Sequence, residues 1–233
     1  MKLAIIGHGA MGKLVRTLAE AEGHEVGRVI TSHDAARGMD ALVELLDGHD
    51  AAVDFSVAAA VLTNVEAAAR AGVPLVEGTT GWNEGEAEAR RLVAAHRGAL
   101  VYGANFSVGV NLFYRIVARA AELFAATDYA PFIEEAHHAR KRDAPSGTAL
   151  KLREVLLAHI ARDIPVASTR AGHIPGTHRV GFDSAADQIT LTHTARNREG
   201  FAAGALLAAR WIADRRGVYE FSEAIDKIVT GDG

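Results

Sequence analysis

Lys2-Leu3-Ala4-Ile5-Ile6-Gly7-His8-Gly9-Ala10-Met11-Gly12 is the stretch of sequence that decides the fold. Its first five residues form a short apolar run rich in isoleucine, which is typical of a buried parallel strand. A G-x-G-x-x-G pattern follows at once, and a helical periodicity then runs from Lys13 to Glu22. A strand, a glycine turn and a helix in this order predict the first βα unit of an open α/β sheet.

The three glycines of this turn have different predicted roles. Gly7 permits the tight turn, Gly9 lets the backbone approach a pyrophosphate, and Gly12 lets the helix pack closely on the strand. The alternative is a tight βα turn without a ligand, but the position of the pattern between a strand and a helix favours a dinucleotide. The predicted nucleotide-binding residues in this turn are Gly7, His8, Gly9, Ala10, Met11 and Gly12.

Composition narrows the classes of protein to which the chain can belong. It has 233 residues, of which 49% are hydrophobic, so one large domain or two smaller ones can bury a core. With no cysteine, the chain has no disulfide, zinc thiolate or catalytic thiol. The formal charge of −4 argues against general nucleic-acid binding, and no apolar run is long enough to span a bilayer. The chain starts directly with a strand pattern and not a signal peptide, so we expect a cytoplasmic protein.

Strand and helix patterns alternate as far as Tyr102 and then change. After the first strand, four more are predicted at Glu25–Ile30, Ala51–Phe55, Val73–Val76 and Ala99–Tyr102. Beyond a long apolar helix, the chain has runs of strands and a final apolar helix. The fold class is therefore α/β, with an N-terminal doubly wound, Rossmann-type parallel sheet and an α+β domain with a mixed or antiparallel sheet. The predicted dinucleotide-binding domain comprises residues 1–106 and 201–233, and residues 107–200 form the second domain.

The end of the second predicted strand bears on coenzyme choice. A site that prefers NAD usually has an acidic residue there, which holds the ribose 2′-hydroxyl. This chain has Thr31 and Ser32 at that position, followed by His33, while Asp34 lies further on and Arg37 is near. Hydroxyls and basic groups suit a 2′-phosphate, so the pattern favours NADPH, with NADH as the alternative. An ordinary polar turn also explains these residues.

Gly78-Thr79-Thr80 follows the fourth predicted strand. Ligands of open α/β sheets bind at the carboxyl ends of the strands, so these residues are expected to contact the nicotinamide half of the coenzyme. The alternative is a glycine turn that begins the next helix through Thr80 or Asn83.

A second informative segment runs from Glu134 to Leu150 and contains His137-His138, Lys141 and Pro145-Ser146-Gly147-Thr148. Histidine transfers protons near neutral pH, and Lys141 supplies a positive charge. Gly147 and Thr148 begin a helical pattern, whose free N–H groups can bind an anion. A basic surface loop would explain the histidines and the lysine alone, but not the Pro-Ser-Gly-Thr sequence. The segment therefore predicts a site for a small carboxylate that is protonated during the reaction.

Together, these motifs resemble those of the dihydrodipicolinate reductase family, over nearly the whole chain. The resemblance rests on the N-terminal glycine turn, Gly78–Gly81, Ala104-Asn105-Phe106-Ser107-Val108-Gly109 and the sequence from Glu135 to Ala149. It continues downstream with Arg170-x-Gly172, Gly176-x-His178 and His193-x-Ala195-x-x-Arg198.

The resemblance implies reduction of the cyclic imine 4-hydroxy-tetrahydrodipicolinate, a small dicarboxylate, with NADPH or NADH in lysine and diaminopimelate biosynthesis. It places the catalytic groups on His137 and Lys141, and substrate binding on His138, Gly147 and Thr148. Nucleotide contacts fall on the glycine turn, on Thr31 and Ser32, on Gly78–Thr80, and on Gly103, Ala104, Asn105 and Phe106. Thr31 and Ser32 replace the charged pair usual in the family. The resemblance also implies a homotetramer built through the second domain.

Alternatives to this interpretation concern metal binding, the substrate, the presence of catalysis and the role of Arg198. The chain has no His-Glu-x-x-His pattern, so no metal site is predicted despite its 11 histidines. A related dehydrogenase of another amino or imino acid would explain the nucleotide motif but not the Pro-Ser-Gly-Thr segment. A non-catalytic nucleotide sensor would leave the histidines and Lys141 unexplained. Arg198 either neutralises a substrate carboxylate or forms a structural ion pair.

Overall fold

The structure is a computed structural model, and it describes residues 1–230. The strands in these residues are β1 Lys2–Ile6, β2 Glu25–Ile30, β3 Ala51–Asp54, β4 Leu75–Glu77, β5 Ala99–Tyr102, β6 Ala130–His137, β7 Val166–Arg170, β8 Thr177–Asp183, β9 Gln188–Thr194 and β10 Gly217–Glu220. The α-helices are α1 Ala10–Ala21, α2 Ser32–Ala35, α3 Met39–Leu46, α4 Val61–Ala71, α5 Glu86–Ala95, α6 Val108–Phe124, α7 Gly147–Leu157, α8 Glu199–Ile212 and α9 Phe221–Thr230. None of these helices combines the length and apolar character needed to cross a membrane.

The chain divides into two compact units. Unit 1 comprises Met1–Val108 and the chain from Glu199 onward, and unit 2 is Gly109–Arg198. The chain therefore leaves unit 1 once and returns to it through α8.

Unit 1 is built on a six-stranded parallel sheet with the strand order β2-β1-β3-β4-β5-β10. The sheet is extended in one direction by β2 and in the other by β3, so the order reverses between β1 and β3. In open α/β sheets, the crevice at this reversal is the usual ligand site. Both the glycine turn after β1 and the loop after β3 lie there, at the carboxyl ends of their strands.

Successive side chains of a strand point to opposite faces of the sheet, so unit 1 has a hydrophobic core on each face. Leu3 and Ile5 pack with α1, α8 and α9, whereas Ala4 and Ile6 pack on the opposite face with α3, α4 and α5. Helices on both faces of a parallel sheet are the predicted doubly wound arrangement.

The sixth strand, β10, is the element of this sheet that the sequence patterns do not predict. It pairs with β5 in parallel, from Gly217 opposite Ala99 to Glu220 opposite Tyr102. Four residues without a continuous apolar run give too weak a periodic signal, and the pairing with β5 is decided by the return of α8 and the chain that follows it.

Unit 2 is a four-stranded mixed sheet with the order β7-β6-β8-β9, in which only β6 and β7 are parallel. Helices α6 and α7 cover one face through a core that includes Phe113, Leu152 and Phe182. Most residues of the edge strands β7 and β9 are exposed. The observed mixed sheet agrees with the predicted fold class.

Candidate active site

The glycine turn after β1 has the geometry that its sequence predicts. Gly7 has a φ of +96°, and a side chain there would strike the backbone oxygen of Phe55. A Cβ on Gly12 would overlap the backbone oxygen of Gly7, so helix and strand meet at these two residues. By contrast, nothing lies within 4 Å of a Cβ built on Gly9. The turn therefore leaves open space at the one glycine where a pyrophosphate is expected.

Helix α1 begins directly behind this space. Gly9 is its N-cap residue, no side chain caps the helix, and its first turn contains no acidic residue. His8 and Ala10 are exposed, whereas Met11 is half-buried and packs against the core. Uncapped N–H groups at a helix N-terminus are a favourable site for an anion, so these residues fit the phosphates of a nicotinamide nucleotide.

The end of β2 differs from the sequence-based expectation. Asp34 folds back onto Thr31, whose backbone N–H and hydroxyl donate to Asp34 Oδ2 at 2.9 and 2.8 Å. These bonds hold the pKa of Asp34 below its usual range. The sequence analysis treated Asp34 as lying beyond the strand end, and this is wrong for its carboxylate, because the short helix α2 returns Asp34 to Thr31. Ser32 and His33 are exposed, and Arg28 lies 3.6 Å from Asp34 Oδ1.

The loops after β4 and β5 lie side by side. Gly78 packs against the ring of Phe55, which leaves no room for a side chain. Thr79 donates its backbone N–H to Glu77 Oε1 at 2.7 Å, and its hydroxyl accepts from the Ser56 backbone N–H at 3.1 Å. Thr80 is exposed. The predicted loop is thus fixed from beneath by residues of β4 and of the loop after β3.

A cavity of about 220 Å³ joins two of the predicted nucleotide segments in unit 1. Its lining includes Thr79, Thr80, Gly103 and Ala104. Asn105 Oδ1 accepts from the Ser107 backbone N–H at 2.9 Å. Phe106 is only 2% exposed and packs edge-to-face with Phe55, so its side chain belongs to the core. Any contact that Phe106 makes with a nucleotide is therefore limited to its backbone.

In unit 2, the predicted catalytic histidine is the last residue of β6. His137 Nδ1 is hydrogen-bonded to the carboxylate of Glu135, which is two residues earlier and therefore on the same face of the strand. The strand register places Arg170 of β7 opposite His137, and Arg170 donates to Glu135 Oε1 at 2.7 Å. Glu135 is thus held between an arginine and the imidazole. Because Nδ1 is occupied, the free ring nitrogen of His137 is Nε2.

Burial and these contacts determine the protonation states of Glu135 and His137. Burial acts to raise the pKa of Glu135, but hydrogen bonds from Arg170, Ser168 and His137 outweigh it and lower that pKa to about 2. Burial lowers the pKa of His137 below its usual value, and the opposing effect of Glu135 does not fully compensate. Lys141 and Arg170 lower the same pKa further. Glu135 is therefore ionised, and His137 is mostly neutral at neutral pH.

Two residues of the neighbouring chain segment enclose the His137 ring. Gly176 has a φ of +138°, and a Cβ there would lie 3.2 Å from His137 Nε2. The ring of His178 packs edge-to-face on that of His137 at 5.0 Å between centroids, and His178 Nε2 is 3.1 Å from Ser146 Oγ. Burial lowers the pKa of His178 to about 4, so this ring is neutral. A glycine next to Nε2 leaves access to that nitrogen.

The two other charged or polar candidates follow β6 directly. Lys141 Nζ lies 2.8 Å from Asp143 Oδ1, and the side chain of Lys141 is about one-quarter exposed. His138 is half-buried, and its backbone oxygen accepts from the Lys141 N–H at 3.1 Å. Because β6 ends at His137, His138 lies outside the strand. The rings of His137 and His138 therefore need not point to opposite faces of the sheet.

The predicted helix N-terminus is present, since α7 begins at Gly147. Ser146 caps the helix by accepting from the Ala149 N–H at 3.3 Å, and its own N–H donates to Glu135 Oε1. Gly147, the first helical residue, is exposed, with nothing within 4 Å of a built Cβ. The Thr148 hydroxyl hydrogen-bonds to Tyr114. Ser146 therefore joins the helix terminus to the carboxylate that holds His137.

Glu135, His137 and His178 also offer atoms within 4.8 Å of one another, a spacing that a metal ion could use. Arg170 already neutralises Glu135 at 2.7 Å, and Glu135 occupies Nδ1 of His137. A positive guanidinium in contact with the carboxylate opposes a cation, and these contacts favour the proton-transfer arrangement over a metal site.

The sequence analysis assigned no catalytic or binding role to Glu135, Arg170, Ser146 or His178, although all four lie in motifs on which the family resemblance rests. The contact between Glu135 and His137 could have been predicted from the sequence, because Glu135 lies two residues before His137 and strand residues at that spacing share a face. No local pattern indicated that Arg170 and His178 lie near His137, because their proximity depends on which strands flank β6. His173 lies in the exposed turn between β7 and β8.

Both halves of the chain match a known family. Residues 1–106 match the family described as "Dihydrodipicolinate reductase, N-terminus", and residues 109–225 match "Dihydrodipicolinate reductase, C-terminus". The 4-hydroxy-tetrahydrodipicolinate reductase of Christiangramia forsetii is 34% identical over 242 residues, which cover 98% of this chain and 99% of the relative. The enzyme of the same name from Archaeoglobus fulgidus is 34% identical over 261 residues, with 97% and 100% coverage.

A solved structure has the same fold. The dipicolinate-bound dihydrodipicolinate reductase from Paenisporosarcina sp. TG-14 aligns with a TM-score of 0.79 over 96% of this chain and 98% of that chain, at 20% identity. The predicted fold class, a Rossmann-type sheet followed by a mixed sheet, is confirmed.

Proposed function

Because the chain belongs to the dihydrodipicolinate reductase family, it reduces 4-hydroxy-tetrahydrodipicolinate with a nicotinamide coenzyme, and we propose that His137 and Lys141 are its catalytic residues. One observation supports this assignment above others. A single segment of unit 2 contains an oriented imidazole, a lysine and an open helix N-terminus, with Glu135 in contact with two of the three parts.

His137 supplies the proton. When bound, the nicotinamide nucleotide supplies a hydride to the conjugated imine that remains after the ring loses water. Hydride addition leaves an electron-rich, enamine-like carbon, and His137 protonates it from Nε2. Glu135 stabilises the imidazolium before transfer and fixes the ring orientation through Nδ1. The net reaction consumes one hydride and one proton and releases one water molecule.

The two substrate carboxylates need two positive or N–H partners. Lys141 binds one as a point charge, in competition with Asp143, which it contacts in the free protein. The N–H groups of Gly147 and Thr148 bind the other at the N-terminus of α7, where the helix dipole favours an anion. His138, beside Lys141, completes the site. A doubly negative ligand next to His137 also raises the pKa of this imidazole and so favours its protonated form.

For the coenzyme, we propose a site formed by Gly7–Gly12, Thr31, Ser32, Gly78–Thr80 and the backbone of residues 103–106. Asp34 suits the ribose hydroxyls of NADH, whereas Arg28 and Arg37 suit the 2′-phosphate of NADPH. Since Arg28 partly neutralises Asp34 at 3.6 Å, the enzyme accepts both coenzymes, and Asp34 sets their ratio. The sequence-based preference for NADPH stays a prediction.

The remaining proposals concern the domain organisation, the oligomeric state and the cellular location. Residues 1–106 and 201–233 form the coenzyme domain, of which residues 231–233 lie outside the part of the chain that the structure describes. Residues 107–200 bind substrate and build a homotetramer through the sheet of unit 2. The half-exposed edge strand β9, which includes the exposed Ile189, supports a role in association. The activity belongs to amino-acid biosynthesis and is placed in the cytoplasm.

Steady-state kinetics test the catalytic assignment. The substrate is made in situ by the preceding aldolase-type synthase, and oxidation of NADPH and NADH is followed separately. We expect His137→Gln and Lys141→Ala to lower the rate by roughly 10² or more, with coenzyme affinity preserved. The matched controls are His159→Gln and Lys151→Ala, two exposed positions in and after α7.

The outcomes separate the alternatives. Wild-type rates in both catalytic variants would refute the site assignment. Coenzyme binding without turnover would indicate a nucleotide sensor, and turnover only with another imino acid would indicate a related dehydrogenase. Pyridine-2,6-dicarboxylate, a planar dicarboxylate analogue, should inhibit the wild type and bind Lys141→Ala more weakly.

A further inference from the structure

Two acidic residues that the proposed chemistry does not use are completely buried in unit 1. Asp54 is the last residue of β3 and Glu77 the last residue of β4, and the strand register places them opposite each other. Both have an exposed fraction of 0%. They lie at the carboxyl edge of the parallel sheet, where open α/β folds bind their ligands.

The hydrogen bonds of the two carboxyls are unequal. Asp54 accepts from the Ser56 N–H at 2.7 Å and from Asn64 Nδ2 at 2.7 Å. Glu77 Oε1 accepts from the Thr79 N–H at 2.7 Å. Among residues 1–230, Glu77 Oε2 has no donor, although it is buried and the two carboxyls interact directly. Two neighbouring carboxyl groups can hydrogen-bond to each other only when one of them carries a proton, because an ionised carboxylate is solely an acceptor.

The free energy needed to ionise both groups also indicates that the two carboxyls share a proton. Two adjacent carboxylates cannot both be ionised away from water, because each raises the cost of charging the other. Burial, and next the charge of Asp54, raise the pKa of Glu77 to about 10. Asp54 has more donors to stabilise its charge, so the proton resides on Glu77. The other groups that contact the pair are Ser56, Asn64 and Thr79, all neutral.

We propose that Asp54 and Glu77 share one proton and act as a clamp that positions Thr79 for coenzyme binding. The Glu77 hydroxyl donates to Asp54, while the other oxygen of Glu77 holds the Thr79 N–H. Asp54 holds the Ser56 N–H, which also reaches the Thr79 hydroxyl at 3.1 Å. The clamp thereby ties the loop after β3 to the loop after β4. Its role in coenzyme binding rests on the proposed function of Gly78–Thr80, whereas the shared proton does not.

The shared proton makes the stability of the folded protein depend on pH. The folded protein keeps a proton on Glu77 that the unfolded chain releases above its ordinary glutamate pKa. The stabilisation is therefore complete below that ordinary value and is lost as pH rises through the folded-state pKa of about 10. Ionisation of the pair also separates the two carboxyls and releases Thr79, so coenzyme affinity falls over the same alkaline range.

Three variants of the full chain test the clamp. Glu77→Gln keeps a neutral donor to Asp54 and an acceptor for Thr79 but cannot titrate. Glu77→Leu removes both bonds. The matched control is Glu88→Gln, which changes a partly exposed carboxylate on α5. Infrared spectroscopy at neutral pH measures protonated carboxylic acid, and fluorescence titration measures NADH and NADPH affinity from neutral to alkaline pH. Circular dichroism measures the fold and its melting temperature.

We expect the wild type and Glu88→Gln to show the band of a buried protonated acid, and Glu77→Gln to lack it. Glu77→Leu should bind coenzyme roughly tenfold more weakly, as for the loss of one buried hydrogen bond. Glu77→Gln should rescue that affinity and remove the alkaline loss of both affinity and stability.

A wild type without the acid band would overturn the shared proton. Wild-type affinity in a folded Glu77→Leu would overturn the positioning role. If Glu77→Leu does not fold, an alkaline affinity profile of Glu77→Gln identical to that of the wild type would overturn it instead. Failure of the wild type to bind either coenzyme would refute the proposed coenzyme site, while the acid band would still report on the proton.

Discussion

The carboxylate of Glu135 binds Nδ1 of His137, and Arg170 binds the same carboxylate from the neighbouring strand. This contact determines which nitrogen of His137 is available for chemistry. It also provides a negative charge next to the ring, which favours the protonated form of the imidazole. A histidine with a depressed pKa can therefore still act as an acid when its partner carboxylate and the substrate both favour the imidazolium.

Replacing Glu135 with glutamine should lower kcat by about 10², because an amide keeps the shape but does not fix the tautomer or stabilise imidazolium. Steady-state kinetics with saturating coenzyme measure this effect. The control is Glu134→Gln, the neighbouring residue on the other face of β6, which pairs with Arg179. Equal rates in the two variants would show that Glu135 does not orient the acid.

The pH dependence should reveal the same acid. Burial lowers the pKa of His137 in the free protein, and a general acid must be protonated, so kcat/KM should fall as pH rises through that lowered value. Bound substrate carboxylates raise this pKa, so the corresponding fall in kcat should occur at higher pH. Glu135→Gln should shift both falls to lower pH. If kcat and kcat/KM titrated at the same pH in all proteins, the substrate would not be next to His137.

Replacing Asp34 with asparagine should change coenzyme preference. The variant loses a negative charge near the expected 2′-phosphate, so KM for NADPH should fall roughly two- to fivefold while KM for NADH rises. Asparagine can still accept from Thr31, so the loop geometry should persist. Parallel measurements with both coenzymes on Glu44→Gln, an exposed change on α3, provide the comparison. An unchanged NADPH-to-NADH ratio would exclude Asp34 from the ribose site.

Two alanine substitutions in the glycine turn should have opposite effects. Gly9→Ala adds a methyl group where no atom lies within 4 Å, so the melting temperature should be preserved and coenzyme affinity reduced. Gly12→Ala places its methyl group against the Gly7 backbone oxygen, so it should destabilise unit 1 by about 1–3 kcal/mol. Thermal unfolding and coenzyme titration of both variants measure the two effects. A destabilised Gly9→Ala with normal affinity would contradict the pyrophosphate site.

The sequence by itself determined most of the helices and strands, the fold class and the family. Three local patterns were decisive: the apolar run Lys2–Ile6, the glycine spacing after it, and the segment from His137 to Thr148. Patterns of this length correspond to single strands, helices and caps, so they can be recognised without the tertiary structure. They were sufficient to predict the α/β fold class and the family. The end of β2 was read wrongly, because the one-turn helix α2 that returns Asp34 to Thr31 has no periodic signal.

Only the tertiary structure decided which distant side chains meet. Arg170 reaches Glu135 because β7 pairs in parallel with β6, and Asp54 faces Glu77 because β3 and β4 are neighbours in register. Strand order and register are fixed by burial of whole faces across the sheet, and no short window of sequence contains that information. The charges of these residues follow from the same pairing, since burial and contact, and not residue type alone, set the protonation of a carboxyl or an imidazole.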